Sequence, residues 1–318
     1  MKRREFTQSL ALMSLLAPGL SLSPGSLRAN RIKKVGIQLF SLPKMLEQDF
    51  RQCVAFLSAL GYREVELFGP YPFSAESAKA SWKAIAPQLG FSGSGYFGRE
   101  ASELRQIFRE HDISIPSVHT DLETLQSNMG QLGAAGRDLG FSYVGIAYIP
   151  AAMRNTLDDY KRIADTFNRI GEAAKKEGLR FFYHNHGYGL QEVGEVVPLK
   201  LLLEQTDPEL VFFEMDIYWT TAGGADPIEY LKAYPGRYRL LHLKDMRESK
   251  RFSGDGGDPS QWIELFPYMV SAGKGILNIE AIVEQAVAAG VQHFFVEQDM
   301  VADPEVSLRD SIAYLSKL

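Results

Sequence analysis

Val211-Phe212-Phe213-Glu214-Met215-Asp216 is an almost continuous apolar run that stops on a carboxylate. Strands covered on both faces read this way, and such strands belong to parallel sheets flanked by helices. Phe181-Phe182-Tyr183 likewise stops on His184, and Phe294-Phe295-Val296 on Glu297, while Leu240-Leu241-His242-Leu243 carries its polar residue inside the run. Working outward, eight strand candidates alternate with helical patterns: Val35–Phe40, Glu64–Phe68, Ser114–His119, Tyr143–Ala147, Arg180–His184, Val211–Asp216, Arg239–Lys244 and His293–Glu297. Helix candidates between and after them include Leu46–Leu60, Ala78–Leu89, Leu122–Leu139, Leu157–Glu177, Leu199–Glu204, Ile279–Ala289 and Val306–Leu315. Gly61, Gly140, Gly178 and Gly290 stand where a helix ends in a left-handed turn before the next strand. Eight strand-helix units, with no dinucleotide fingerprint after the first strand, predict an α/β fold: a single-domain (β/α)8 barrel. An open doubly wound sheet is the competing arrangement. Two glycine-bearing stretches, Gly90–Glu100 and Glu248–Pro259, read as mobile loops over the barrel mouth or, more commonly for such sequences, as plain connectors.

Residues 1–29 read as an export signal rather than as part of the barrel. Lys2-Arg3-Arg4-Glu5-Phe6 is a basic start, Leu10 to Leu22 is apolar but broken by Pro18 and Gly19, and Leu27-Arg28-Ala29 offers an imperfect small-residue cleavage site. The paired arginines with a following Phe look like a twin-arginine signal, which implies a periplasmic or otherwise exported protein. The barrel then occupies residues 30–318, long enough for a sizeable core. The signal carries four basic residues against one acidic residue, so a whole-chain net charge of −5 becomes about −8 without it. An acidic body argues against nucleic acid as partner. A lone cysteine, Cys53, allows no intrachain disulfide. No segment after the signal is long and apolar enough for a membrane span.

Side chains alternate faces along a strand, so Phe182 shares a face with His184 and His186, Glu214 with Asp216, His242 with Lys244, and Phe295 with Glu297. Polar residues at barrel strand ends face the place where such folds keep their chemistry. His184, Asp216, His242 and Glu297 are therefore candidate ligands of one divalent metal ion, with Mn²⁺, Zn²⁺ or Co²⁺ suiting a mixed nitrogen and oxygen set. Each has a plainer reading: a hydrogen-bonded histidine, a helix cap for Asp216, an ion pair for Glu297. Four coincident strand ends outweigh any one of them. His186 rivals His184 for the first position.

His242-Leu243-Lys244-Asp245, with Asp216-Ile217-Tyr218-Trp219 and Tyr183-His184-Asn185-His186 before it, resembles the xylose isomerase-like TIM-barrel superfamily of sugar (phosphate) isomerases, epimerases and inosose dehydratases. The resemblance extends over roughly residues 32–318, taking in Gly61-Tyr62-Arg63-Glu64-Val65-Glu66-Leu67 and Ser117-Val118-His119. Epimerases of that family hold their metal with Glu, Asp, His and Glu, and the two glutamates act as acid and base. Asp216, His242 and Glu297 match those positions; His184 stands in place of the first glutamate. The resemblance thus implies a metal-dependent isomerase or epimerase that forms a metal-stabilised enediolate of a keto or hydroxy sugar. The alternative is a lyase performing β-elimination on a 3-keto sugar or keto-glycoside, closer to the inosose dehydratase branch. Glu297 is the expected base. His184 is ligand or second acid/base, and Lys244 is a proton donor or hydroxyl contact unless it pairs structurally with Asp245 or Glu280. Second candidates for contact with substrate are His119, His186, Glu66, Arg247 and Trp219. The expected partner is a small carbohydrate, unphosphorylated if the protein is exported, and a homo-oligomer is compatible with the sequence. A non-catalytic sugar-binding protein is a further reading. The endonuclease IV branch is disfavoured by the acidic body and the supply of six histidines.

Overall fold

In the computed structural model, which describes residues 31–318, the eight apolar runs form strands β1 (Val35–Gln38), β2 (Glu64–Phe68), β3 (Ser114–Thr120), β4 (Tyr143–Ile146), β5 (Arg180–His184), β6 (Val211–Asp216), β7 (Tyr238–Leu243) and β8 (His293–Val296). Each strand lies parallel to its sequence neighbour, and β1 pairs with β8 to close a barrel. The expected export signal, residues 1–29, lies outside the described residues. No helix among the described residues is long and apolar enough to cross a membrane.

The period-two rule divides the barrel interior into two levels. Tyr143, Phe182, Phe212, Leu240 and Phe295 form an apolar floor. Gly36 and Gly145 make room for it: a Cβ there would lie 2.4 Å from the Phe295 ring and 2.5 Å from the Phe182 ring. Further along the same strands come His184, Glu214, His242 and Glu297. Register aligns His184 with Glu214, and Asp216 with His242. An aromatic floor beneath thus forces the polar side chains to satisfy one another.

Several helices depart from the sequence expectation. Leu46–Leu60 is two helices, Pro43–Gln48 and Phe50–Leu60, because Asp49 leaves the helical conformation and its Oδ1 accepts from Gln52 N at 3.0 Å. Leu122–Leu139 is divided at Asn128, whose Nδ2 donates to Phe73 O at 2.7 Å. Ala101–Glu110 fills the outer-ring position between β2 and β3 and buries Leu104, Ile107 and Phe108. The helix expected there as Ala78–Leu89, observed over Glu76–Leu89, buries only Ala86 and lies over the barrel mouth instead. Both glycine-bearing stretches are pinned connectors. Glu47 Oε1 accepts from Ser92 N at 2.7 Å and Gly93 N at 2.6 Å, and Gly95 N donates to Phe68 O at 2.8 Å. In the other, Phe252 is buried and Trp262 Nε1 donates to Gly256 O at 2.7 Å.

Gly145→Ala is expected to lower unfolding free energy by about 1–3 kcal/mol through overpacking, read from a urea titration; unchanged stability would contradict the packed floor. Burial pushes the Cys53 thiol up to about 12. The native protein should therefore resist iodoacetamide at about pH 8 and be labelled fully only in urea, as read by mass spectrometry.

Candidate active site

The ends of β5, β6, β7 and β8 bring His184, Asp216, His242 and Glu297 together, all buried, with one donor atom from each within 4.8 Å of the other three. His242 Nδ1 lies 2.8 Å from Glu297 Oε2, and His184 Nε2 lies 3.9 Å from Asp216 Oδ2. The opposite ring nitrogens are held from behind: His184 Nδ1 by Glu214 Oε2 at 2.9 Å and His242 Nε2 by Glu66 Oε1 at 2.8 Å. A carboxylate behind each imidazole is how metal-binding histidines are oriented. His119 Nε2 ties the two supports together, at 2.7 Å from Glu214 Oε2 and 3.0 Å from Glu66 Oε1. Gln38 Nε2 and Ser117 Oγ complete Glu66 at 2.7 and 2.5 Å.

Asp216 is both a cap and a cluster member. Its Oδ1 accepts from Tyr218 N at 2.9 Å and Trp219 N at 3.0 Å, starting the Ile217–Ala222 helix. That fixes Oδ2 toward the cluster, 2.9 Å from Lys244 Nζ but out of hydrogen-bond alignment. Glu214 Oε1 is the other carboxylate oxygen buried without a hydrogen bond among the described residues. Buried polar atoms are seldom left so.

Lys244 pairs with neither Asp245 nor Glu280. Its Nζ sits 2.6 Å from Glu297 Oε2 and 2.6 Å from Asp299 Oδ2, besides Asp216. Asp245 is occupied by the backbone N–H groups of Gly273, Gly275 and Leu277, and Glu280 pairs with Arg31. Burial opposes the Lys244 charge, yet Asp216, Asp299 and Glu297 hold its ammonium well above the usual lysine range. Burial would raise Glu297, but Lys244 and His242 keep it ionised below the usual carboxylate range. Burial also raises Asp299, to about 7, against the pull of Lys244. His119 and His242 behave alike: burial works against their charge, but adjacent carboxylates win, raising His119 to about 10 and His242 well above its ordinary value. His184 moves the other way, depressed by burial and then by the charge on His242.

Five carboxylates (Glu66, Glu214, Asp216, Glu297 and Asp299) are thus buried together, and Lys244 is the single ammonium paired with them among the described residues. Buried charge demands counter-charge. Two imidazoles and two carboxylates, with an unbonded oxygen aimed among them and no thiolate, fit a divalent cation of the Mn²⁺, Zn²⁺ or Co²⁺ kind. A second group, His119, His184, Glu214 and His242, meets the same distance condition deeper in the barrel. Each group has two members on the wall of a cavity of about 860 Å³, His184 with Glu297 in the first and His119 with His184 in the second, but only the first brings a carboxylate to that wall.

The other expected site residues divide. His119 and His186 line the cavity. His186 belongs to neither donor group: its Nδ1 donates to Ala147 O at 2.6 Å, which leaves the lone pair on Nε2, and its ring stacks on Trp262 at 4.5 Å. Glu66 holds the network and does not reach the cavity wall. Trp219 is a packing residue, buried behind Lys244 and stacked on Phe252 at 5.6 Å. Arg247 is exposed and off the wall. Its N–H donates to Tyr268 O at 2.8 Å beside the short pairing of Asp245–Met246 with Met269–Val270. Glu214, Gln38 and Asp299 were missed. Alternation placed Glu214 on the face of Asp216, and the same spacing separates Asp299 from Glu297.

Residues 54–318 match the family described as Xylose isomerase-like TIM barrel. An inosose dehydratase 2 of Bacillus cereus is 26% identical over 208 residues, 64% of this chain and 65% of that protein. The match therefore spans just under two thirds of that relative's length. Among solved structures, a sugar phosphate isomerase/epimerase from Parabacteroides distasonis superposes with a TM-score of 0.70 at 23% identity, covering 92% of this chain and 96% of that one. The IolI protein with a bound zinc atom does so at 0.60 and 13%, covering 89% and 95%. At these identities the two superpositions show a shared fold.

Glu214→Gln is expected to weaken Co²⁺ binding about 10–100-fold by loosening His184, measured by titration calorimetry. Affinity equal to that of the unaltered chain would remove Glu214 from the support of the site.

Proposed function

The chain belongs to the xylose isomerase-like TIM-barrel family, and from that premise we propose that it is a divalent-metal-dependent enzyme that removes the proton beside the carbonyl of a keto or hydroxy sugar. The observation that carries this reading is the convergence of His184, Asp216, His242 and Glu297, two of them on the cavity wall. His184, Asp216, His242 and Glu297 would hold such a cation, which when bound would supply Lewis-acid polarisation of a substrate carbonyl and so acidify the adjacent C–H. Glu297 takes the proton: it is ionised, it faces the cavity, and Lys244 fixes its carboxylate. The Lys244 ammonium, locked among three carboxylates, remains charged beside the base and stabilises the developing enediolate.

Elimination is the outcome that the geometry supports best, with isomerisation or epimerisation second. Of the carboxylates on the cavity wall, Glu297 and Asp299 both follow β8 and so lie on one side, while Asp121 is bonded to Thr124 and Glu123 to Ser77. From the β5 side come His184, in place of a glutamate, and His186, with its lone pair on Nε2. An exchange between two carboxylates on opposite faces of a sugar carbon therefore lacks its second member. In β-elimination Glu297 takes the C–H proton, that electron pair forms the new C=C bond, and the β C–O bond breaks. The departing oxygen takes up that proton from Glu297 and leaves as water or an alcohol, which returns Glu297 to its ionised form. The dehydratase named among the relatives supports the same order. The Arg3-Arg4 start supports an exported enzyme that meets unphosphorylated sugars.

Mn²⁺- or Co²⁺-loaded protein is expected to convert a member of a keto-sugar and glycoside panel in D₂O to an unsaturated product visible by NMR. Deuterium in a recovered isomer would instead establish isomerisation, and no turnover of any member would overturn the enzymatic reading. Glu297→Gln should cost about 10²–10⁴-fold in kcat; full activity would remove Glu297 as the base.

A further inference from the structure

The cavity has an outer arm beyond the cation cluster, and we propose that this arm is a subsite for an aryl or similarly apolar substituent of an uncharged glycoside. The inference rests on the carbohydrate reading above and names its substrate class. The volume, about 860 Å³, falls among pockets that take drug-sized ligands. It is more than one sugar ring fills beside His184 and Glu297.

The outer wall is aromatic and preformed. Phe40 meets Phe68 edge-to-face at 5.3 Å, Phe68 meets Trp82 at 5.8 Å, and buried Phe91 backs both Phe40 and Trp82 at 5.7 Å. Phe40, Phe68 and Trp82 all line the cavity. Trp82 has no polar edge left for a ligand, because its Nε1 donates to Ser92 O at 2.7 Å, and Glu47 holds Ser92 in turn. The helix that carries Trp82 points in the same direction. Glu76–Leu89 buries only Ala86, and its helically spaced residues Ala78, Trp82 and Ile85 line the cavity. Ile85 and Tyr148, both on the wall, are 45% and 40% exposed. An apolar group seated there would remove that surface from water.

Charge excludes an anionic group in this position. The described wall contains Asp121, Glu123, Glu297 and Asp299 but neither lysine nor arginine. A phosphate would meet carboxylates, and the cationic imidazole on the wall, His119, is already paired with Glu66 and Glu214.

Titration calorimetry on the Mn²⁺-loaded full chain with methyl β-glucoside, phenyl β-glucoside, cellobiose, glucose 6-phosphate and phenol tests this. Phenyl glucoside should bind about ten-fold tighter than methyl glucoside. Trp82→Ala should remove that gain and leave methyl glucoside affinity unchanged. Ile85→Ser, at an exposed position that does not endanger the core, should reduce the gain in the same direction. Equal binding of the phenyl and methyl glucosides would overturn the apolar subsite. So would an equal gain from cellobiose or tightest binding of glucose 6-phosphate; in all three cases the carbohydrate reading stands. Phenol binding as tightly as phenyl glucoside would instead overturn the carbohydrate reading while leaving the apolar arm in place.

Discussion

Too much negative charge buried at one end of a closed barrel is the constraint on which the rest of this structure depends. Glu66, Glu214, Asp216, Glu297 and Asp299 come from different parts of the chain and meet where water is largely excluded. Lys244 offsets part of that charge, and His119 and His242 are driven toward the protonated form by the remainder. Such a cluster without partners would not survive folding. It persists because backbone N–H groups, imidazoles and one ammonium partner nearly every oxygen. The two oxygens left over, on Asp216 and Glu214, mark where the protein's own counter-charge runs out.

The aromatic floor makes this concentration possible. Tyr143, Phe182, Phe212, Leu240 and Phe295 close the barrel below the polar level, and Gly36 and Gly145 yield the space their rings need. A plugged barrel leaves one open end. The loops on that end are held by side-chain to backbone bonds, such as Glu47 to Ser92 and Gly93, so the mouth is shaped before any ligand arrives. One helix of the β2–β3 crossover does the outer-ring packing, which frees Glu76–Leu89 to form a wall of the cavity. Polar chemistry and an aromatic platform thereby share one opening, the former on the late strands and the latter on the early ones.

Much of this was legible in the one-dimensional pattern. Helix-ending glycines at 61, 140, 178 and 290 all have positive φ, and the strand candidates match the observed strands to within a residue or two. His184, Asp216, His242 and Glu297 were identified because a period of two and a run that stops on a polar residue are local signals. Trp219 and Arg247 looked equally placed but do not line the cavity. One is turned into a packing cluster by its helix, the other outward by a short strand pairing. Trp82 carried no signal: an aromatic in a helical pattern reads as core, and nothing local says that its helix leaves the ring of the barrel.

What the sequence determined by itself was the alternation of strand and helix, and the polar residues those strands deliver at one end. Hydrogen-bonding period and side-chain alternation depend only on near neighbours along the chain. The tertiary structure alone decided that His184 rather than His186 joins the cluster, that Glu214 and Glu66 brace the imidazoles, that Lys244 binds Asp299, and that aromatic side chains line the cavity's outer wall. Those outcomes depend on register between strands and on where each helix settles. Both are set by packing among residues that lie far apart in sequence.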